Sequence, residues 1–132
     1  MISESRFKVA LAVWGDKMSP VFDSASTALV VEIKDGKENG RRHETLGPEL
    51  PYARALKLSG WGIRVLICGA ISTGFTRTIE GYGVQVISFI SGDVQKVVEA
   101  YLNGTLTVGA FHMPGFRKGR RNRFRGGGKR NI

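Results

Sequence analysis

Residues 64–102 read RVLICGAISTGFTRTIEGYGVQVISFISGDVQKVVEAYL, and this stretch decides the fold. Residues 64–68 (RVLIC) are a short apolar run, which predicts a buried strand. Ser72 or Thr73 can cap a helix, on which Phe75, Ile79 and Tyr82 recur at i, i+4 and i+7. Residues 84–89 (VQVISF) predict the next strand. Asp93 then caps a second helix, with Val94, Val97, Val98, Tyr101 and Leu102 at i, i+3, i+4, i+7 and i+8, and Gly104 ends it. Two successive strand–helix units imply parallel strands joined by right-handed crossovers.

The chain before this stretch has a different rhythm. Residues 7–14 (FKVALAVW) read as a strand buried on both faces. A turn-rich loop, GDKMSP, occupies residues 15–20. A second strand covers residues 28–34 (ALVVEIK), and Asp35-Gly36 marks a hairpin. Its return strand, within residues 37–46, is polar (KENGRRHETL), as suits a sheet edge guarded by charge. Residues 47–51 contain two prolines, and Pro51 suits the first turn of a helix over residues 52–59 that stops at Gly60. The order is therefore β-β-β-α-β-α-β-α. It predicts an α/β fold: a mixed five-stranded sheet, order 3-2-1-4-5, with helices on both faces.

The whole chain has 132 residues, with 20 Lys and Arg against 11 Asp and Glu, a net charge of +9. Residues 117–132 contain eight basic residues and no acid, so the other 116 carry a net +1. The expected organisation is a nearly neutral domain over residues 1–116 and a basic, Gly-rich tail over residues 117–132, disordered in isolation. No apolar run approaches the roughly 18 residues that span a bilayer. The polar residues 1–8 resemble no signal peptide, so a cytoplasmic location is expected. One cysteine, Cys68, excludes an intramolecular disulfide. With only His43 and His112 besides, a closed four-ligand zinc site is excluded too.

In the predicted sheet the order reverses between the first and fourth strands, and open α/β sheets bind ligands at such a point, beyond the strand ends. Three loops meet there: residues 15–23 (GDKMSPVFD), 68–72 (CGAIS) and 88–93 (SFISGD). Cys68-Gly69-Ala70 and Ser91-Gly92-Asp93 each run from a strand into a helix N-terminus. Their glycines read either as tight turns or as small residues that let an anion reach free N–H groups. Cys68 reads either as a small buried residue or as a ligand. Catalysis finds no support. The chain has no Walker loop, GxGxxG, HExxH, EF-hand loop or CxxC. His43 reads as a solvated residue of the edge strand. A ribonuclease H-like sheet would need clustered carboxylates for nuclease chemistry, and the strand ending Cys68-Gly69 offers none.

Several segments together resemble a known family. They are Ser19-Pro20-Val21-Phe22-Asp23-Ser24-Ala25, Leu66-Ile67-Cys68-Gly69-Ala70-Ile71-Ser72, Gly92-Asp93-Val94, Glu99-Ala100-Tyr101-Leu102-Asn103-Gly104 and Met113-Pro114-Gly115. In this order and spacing they resemble the nitrogenase iron–molybdenum cofactor biosynthesis family, which is similar to the molybdenum–copper orange protein. The resemblance implies a ribonuclease H-like fold and a non-catalytic carrier of an anionic metal–sulfur cluster or its precursor. It implies a cofactor-binding surface of Ser19, Phe22 and Asp23, then Cys68, Gly69, Ala70, Ile71 and Ser72, then Ser91 and Gly92. Cys68 would be the metal ligand, and the partners would be a cluster donor or acceptor protein. Two departures stand out: Ser91 and Phe116 occupy positions where many members carry cysteine. Multidentate thiolate ligation within one chain is thereby excluded. Hydrogen bonds and charge would hold the cluster in a monomer, or two chains would share it in a homodimer.

The tail supports an alternative, a nucleic-acid- or polyanion-associated protein in which cluster binding is lost. Arg117, Lys118, Arg120, Arg121, Arg123, Arg125, Lys129 and Arg130 surround an RGG-like segment. Such segments bind nucleic acid or other polyanions through phosphate charge and stacking, with steep salt dependence. The tail reads equally as a solubilising segment, or as a cover for the switch-point cleft.

Overall fold

β1 (Arg6–Trp14) lies at the centre of the sheet, because it is apolar on both faces and can be buried only with neighbours on either side. A computed structural model describes residues 6–47 and 50–106. After β1 come β2 (Lys17–Met18), a 3-10 turn (Phe22–Ser24), β3 (Thr27–Lys34), β4 (Lys37–Thr45) and α1 (Pro51–Gly60). β5 (Ile63–Ile67), α2 (Thr73–Gly81), β6 (Gln85–Ile87) and α3 (Val94–Leu102) complete the described chain. The sheet runs β4-β3-β1-β5-β6, with β2 paired to β1 off this path. β1 is antiparallel to β3 and parallel to β5, and β5 is parallel to β6.

Strand alternation divides the core in two. Val9, Leu11 and Val13 join Leu29, Val31, Val65 and Ile67 on one face, where α3 contributes Val94, Val97 and Val98. Ala10, Ala12, Ala28 and Leu66 point to the other, where α1 and α2 contribute Ala55, Leu58, Phe75 and Ile79. The alanines on that side leave room for two helices. β4 pairs only with β3 among the described residues, and its side chains are mostly exposed. Its Arg41–Glu38 and Arg42–Glu44 ion pairs lie at the surface, where such pairs add little stability.

The sheet differs from the expected five strands. Gly15 takes φ +65°, a conformation that costs glycine nothing, and the chain folds back so that Val13 pairs with Met18 and Trp14 with Lys17. The predicted loop thus contains a sixth, two-residue strand. β6 is shorter than residues 84–89, and Phe89 at φ +64° marks the bend beyond it. Tyr82 is not on the helix: α2 ends at Gly81, Gly83 takes φ +86°, and the Tyr82 side chain is exposed. No helix among the described residues is long and apolar enough to cross a membrane. Met113-Pro114-Gly115, Phe116 and every basic residue proposed for the tail lie outside the described residues.

Candidate functional site

β1 and β5 end side by side, and the loops that follow them are laced together by backbone hydrogen bonds. Ala70 N–H donates to Pro20 O at 2.8 Å, and Phe22 N–H donates to Ala70 O at 2.8 Å. Phe89 and Ile90 N–H donate to Gly69 O and Cys68 O at 2.9 and 3.0 Å. Met18 N–H donates to Gly92 O, and Val94 N–H to Asp16 O, both at 2.9 Å. The three loops of the sequence reading therefore form one layer across the strand ends.

The lacing changes what individual residues do. A Cβ on Gly69 would lie 2.5 Å from both Ser19 O and Pro20 O. Glycine is required there because the first loop crosses it, so its open side is already filled by protein. The helix N-termini are filled as well. Ser72 Oγ accepts from Phe75 N–H at 3.3 Å, while Ser72 N–H donates to Asp23 Oδ1 at 3.0 Å. Asp93 Oδ2 accepts from Lys96 N–H at 3.2 Å. Each N-terminus read as anion-attracting thus has a carboxylate of this chain against it. For α2 that carboxylate comes from 49 residues earlier in the chain, a pairing that local sequence does not display.

Phe22 is fully buried and Ser19 nearly so, with Ser19 Oγ 3.4 Å from Val21 O. Ile71 is partly buried against the α1–α2 side of the core. Ser72 and Gly92 are exposed, and Ser91 is half-buried. Cys68 is completely buried, in the cluster that contains Phe22, Leu66 and Phe75. Burial, with a smaller contribution from the nearby Asp23 carboxylate, pushes its thiol up to about 12. The thiolate is the form that binds metal, and here the thiol stays protonated at neutral pH. Among the described residues, no three His, Cys, Asp or Glu side chains converge to hold a metal ion. Among the described residues, the donor set does not fit a coordinated metal.

One residue of the site escaped the sequence reading. Arg54 of α1 is buried, donating from Nη1 to Phe22 O at 2.7 Å and from Nη2 to Gly47 O at 3.1 Å. Its guanidinium carbon lies 5.3 Å from the Phe22 ring centroid and 6.0 Å from that of Phe75. The two rings meet edge-on at 5.6 Å. The available signal was spacing: Arg54 lies at i−4 from the buried Leu58, on the inward face. The Phe22–Ser24 turn is thus clamped, by Arg54 from α1 and by Ser72 at the start of α2. Beside it opens a cleft of about 260 Å³ lined by Trp14, Ser19, Pro20, Val21, Ser24 and Ser26 among others. Trp14 is 75% exposed and Val21 40%.

Residues 5–104 match the family model for the dinitrogenase iron-molybdenum cofactor. The chain belongs to the dinitrogenase iron–molybdenum cofactor family. The family span contains the three loops, Arg54 and the whole described sheet. Solved structures share the fold of this family member. The protein PH0822 superposes with a TM-score of 0.70 at 16% identity, covering 74% of this chain and 92% of that one. The apo form of the orange protein from Desulfovibrio gigas gives 0.63 at 19% identity, over 80% of this chain and 94% of that one. A Methanocaldococcus jannaschii protein provisionally called a dinitrogenase gives 0.63 at 20% identity, over 80% and 93%. No curated protein is detectably similar in sequence.

Proposed function

We propose that this chain is a non-catalytic carrier, with a ribonuclease H-like fold, that holds an anionic metal–sulfur cluster or its precursor at the switch-point loops. The cargo is of the iron–molybdenum or molybdenum–copper type, received from a donor protein and passed to an acceptor in the cytoplasm. The observation that carries this reading is the family match across residues 5–104, which covers the laced loops. The orange protein's similar fold supports it.

The ten candidate residues then take different parts. Phe22, Asp23, Cys68 and Gly69 set the frame: two buried side chains, one carboxylate on a helix end, and one close backbone crossing. Ser19, Ala70 and Ile71 join the loops, and Ser72, Ser91 and Gly92 form their rim. Direct thiolate ligation has no support from the buried Cys68, so contacts with the surface of the loops hold the cargo. The test is anaerobic reconstitution with iron, molybdenum, copper and sulfide, followed by gel filtration. A visible absorption band that elutes with the protein is expected; a colourless protein peak would refute the reading.

A further inference from the structure

We propose that Trp14 and the cleft it borders are the contact surface for the cargo, and that Cys68 takes no part in holding it. This inference rests on the carrier reading above. Trp14 shares a strand face with the buried Ala10 and Ala12, yet it stands 75% exposed at the end of β1. The indole beside a cleft offers a ligand a large, rigid aromatic surface. Val21, also exposed, and Pro20 extend the apolar lining, and Ser19, Ser24 and Ser26 add hydroxyl groups. Among the described residues, no charged side chain lines the cleft.

That chemistry selects a ligand. The volume of about 260 Å³ falls just below the roughly 300–1,000 Å³ of pockets for drug-sized ligands, so the occupant is compact. A hard oxyanion such as phosphate would need Lys or Arg to offset its lost hydration. An anion whose charge is spread over sulfur needs less: polarisable sulfur interacts favourably with an aromatic edge, and hydroxyls can donate to it. The wall is also held in place before binding, because Arg54 fixes Phe22 O and Ser72 N–H fixes Asp23. Little ordering is then required when the ligand arrives.

The test is equilibrium dialysis of the full chain against tetrathiomolybdate without oxygen, read by molybdenum analysis. Wild type, Trp14→Ala, Trp14→Phe and Cys68→Ala are compared, with circular dichroism confirming the fold of each. The expected result is saturable binding by wild type, weakened about tenfold by Trp14→Ala through loss of sulfur–aromatic contact and buried area. Trp14→Phe retains most of the binding, and Cys68→Ala matches wild type. Equal binding by Trp14→Ala overturns the cleft assignment and leaves the carrier reading standing. Loss of binding in a folded Cys68→Ala overturns the exclusion of Cys68. No saturable binding by wild type overturns the inference together with the thio-anion cargo on which it rests.

Discussion

The Arg54 guanidinium donates to the carbonyl oxygen of Phe22 at 2.7 Å, inside the core. This bond joins α1 to the first switch-point loop, 32 residues earlier in the chain. With Asp23 accepting from Ser72 N–H, it makes the Phe22–Ser24 turn a fixed point between two helices. The cleft bordered by Trp14 is shaped against that turn.

Replacing Arg54 removes two hydrogen bonds from a charged donor, although Phe22 O keeps the one it accepts from Ala25 N–H at 3.1 Å. Arg54→Met should lower stability by about 2–4 kcal/mol, because hydrogen bonds from a charged group contribute about 1.5–3 kcal/mol each and one of the two lost here is only partly buried. Arg54→Lys should recover little, since one ammonium cannot reproduce the planar fork that reaches both oxygens. Urea denaturation measures both. A loss below about 0.5 kcal/mol, typical of a surface change, would show that the clamp carries no weight.

Gly69 tests the crossing of the loops. Gly69→Ala places a Cβ 2.5 Å from two backbone oxygens, which side-chain adjustment cannot relieve. Thermal denaturation should show a destabilisation of about 1–3 kcal/mol, the range for overpacking a dense interior. A melting temperature equal to wild type would mean that the loops separate freely.

Cys68 makes the protein sensitive to alkali. Its thiol ionises at about 12 in the folded protein against an ordinary 9.0. The folded state therefore keeps a proton that the unfolded state releases, and the difference favours folding below pH 9. That contribution is lost progressively as pH rises from about 9 to about 12. The stability of Cys68→Ala should fall less steeply over this window. Iodoacetamide should also modify the native thiol far more slowly than the denatured one. Fast modification of the native protein at pH 8 would contradict the buried, protonated assignment.

Asp23 acts on two neighbours. Asp23→Asn removes a negative charge from the α2 N-terminus and should cost about 0.3–1 kcal/mol. The same change removes a charge that holds the Cys68 thiol up, so alkylation at a given alkaline pH should quicken. Unchanged alkylation kinetics would show that the carboxylate does not influence the sulfur.

Local signals carried much of the fold. The caps Ser72 and Asp93 and the spacing of Phe75, Ile79 and the α3 valines act within one or two turns, so α2 and α3 could be read from the chain itself. The charges of residues 37–45 marked β4 as an edge for the same reason. What was not legible depends on distant partners. Asp23 reaches Ser72, Arg54 reaches Phe22, and the carbonyls of Ser19 and Pro20 press on Gly69. The glycines of these loops read either as tight turns or as open backbone with free N–H groups, because nothing nearby in the chain fills them. β2 was missed because two residues are too few for a periodic pattern, and Gly15 could equally have made an open loop.

The central claim is that this fold carries a metal–sulfur cargo, and the most direct measurement is elemental analysis of protein purified without oxygen or a metal-binding tag. The account predicts molybdenum or iron, with or without copper, in fixed proportion to protein together with inorganic sulfide. Protein free of these metals, both as purified and after reconstitution, would contradict it.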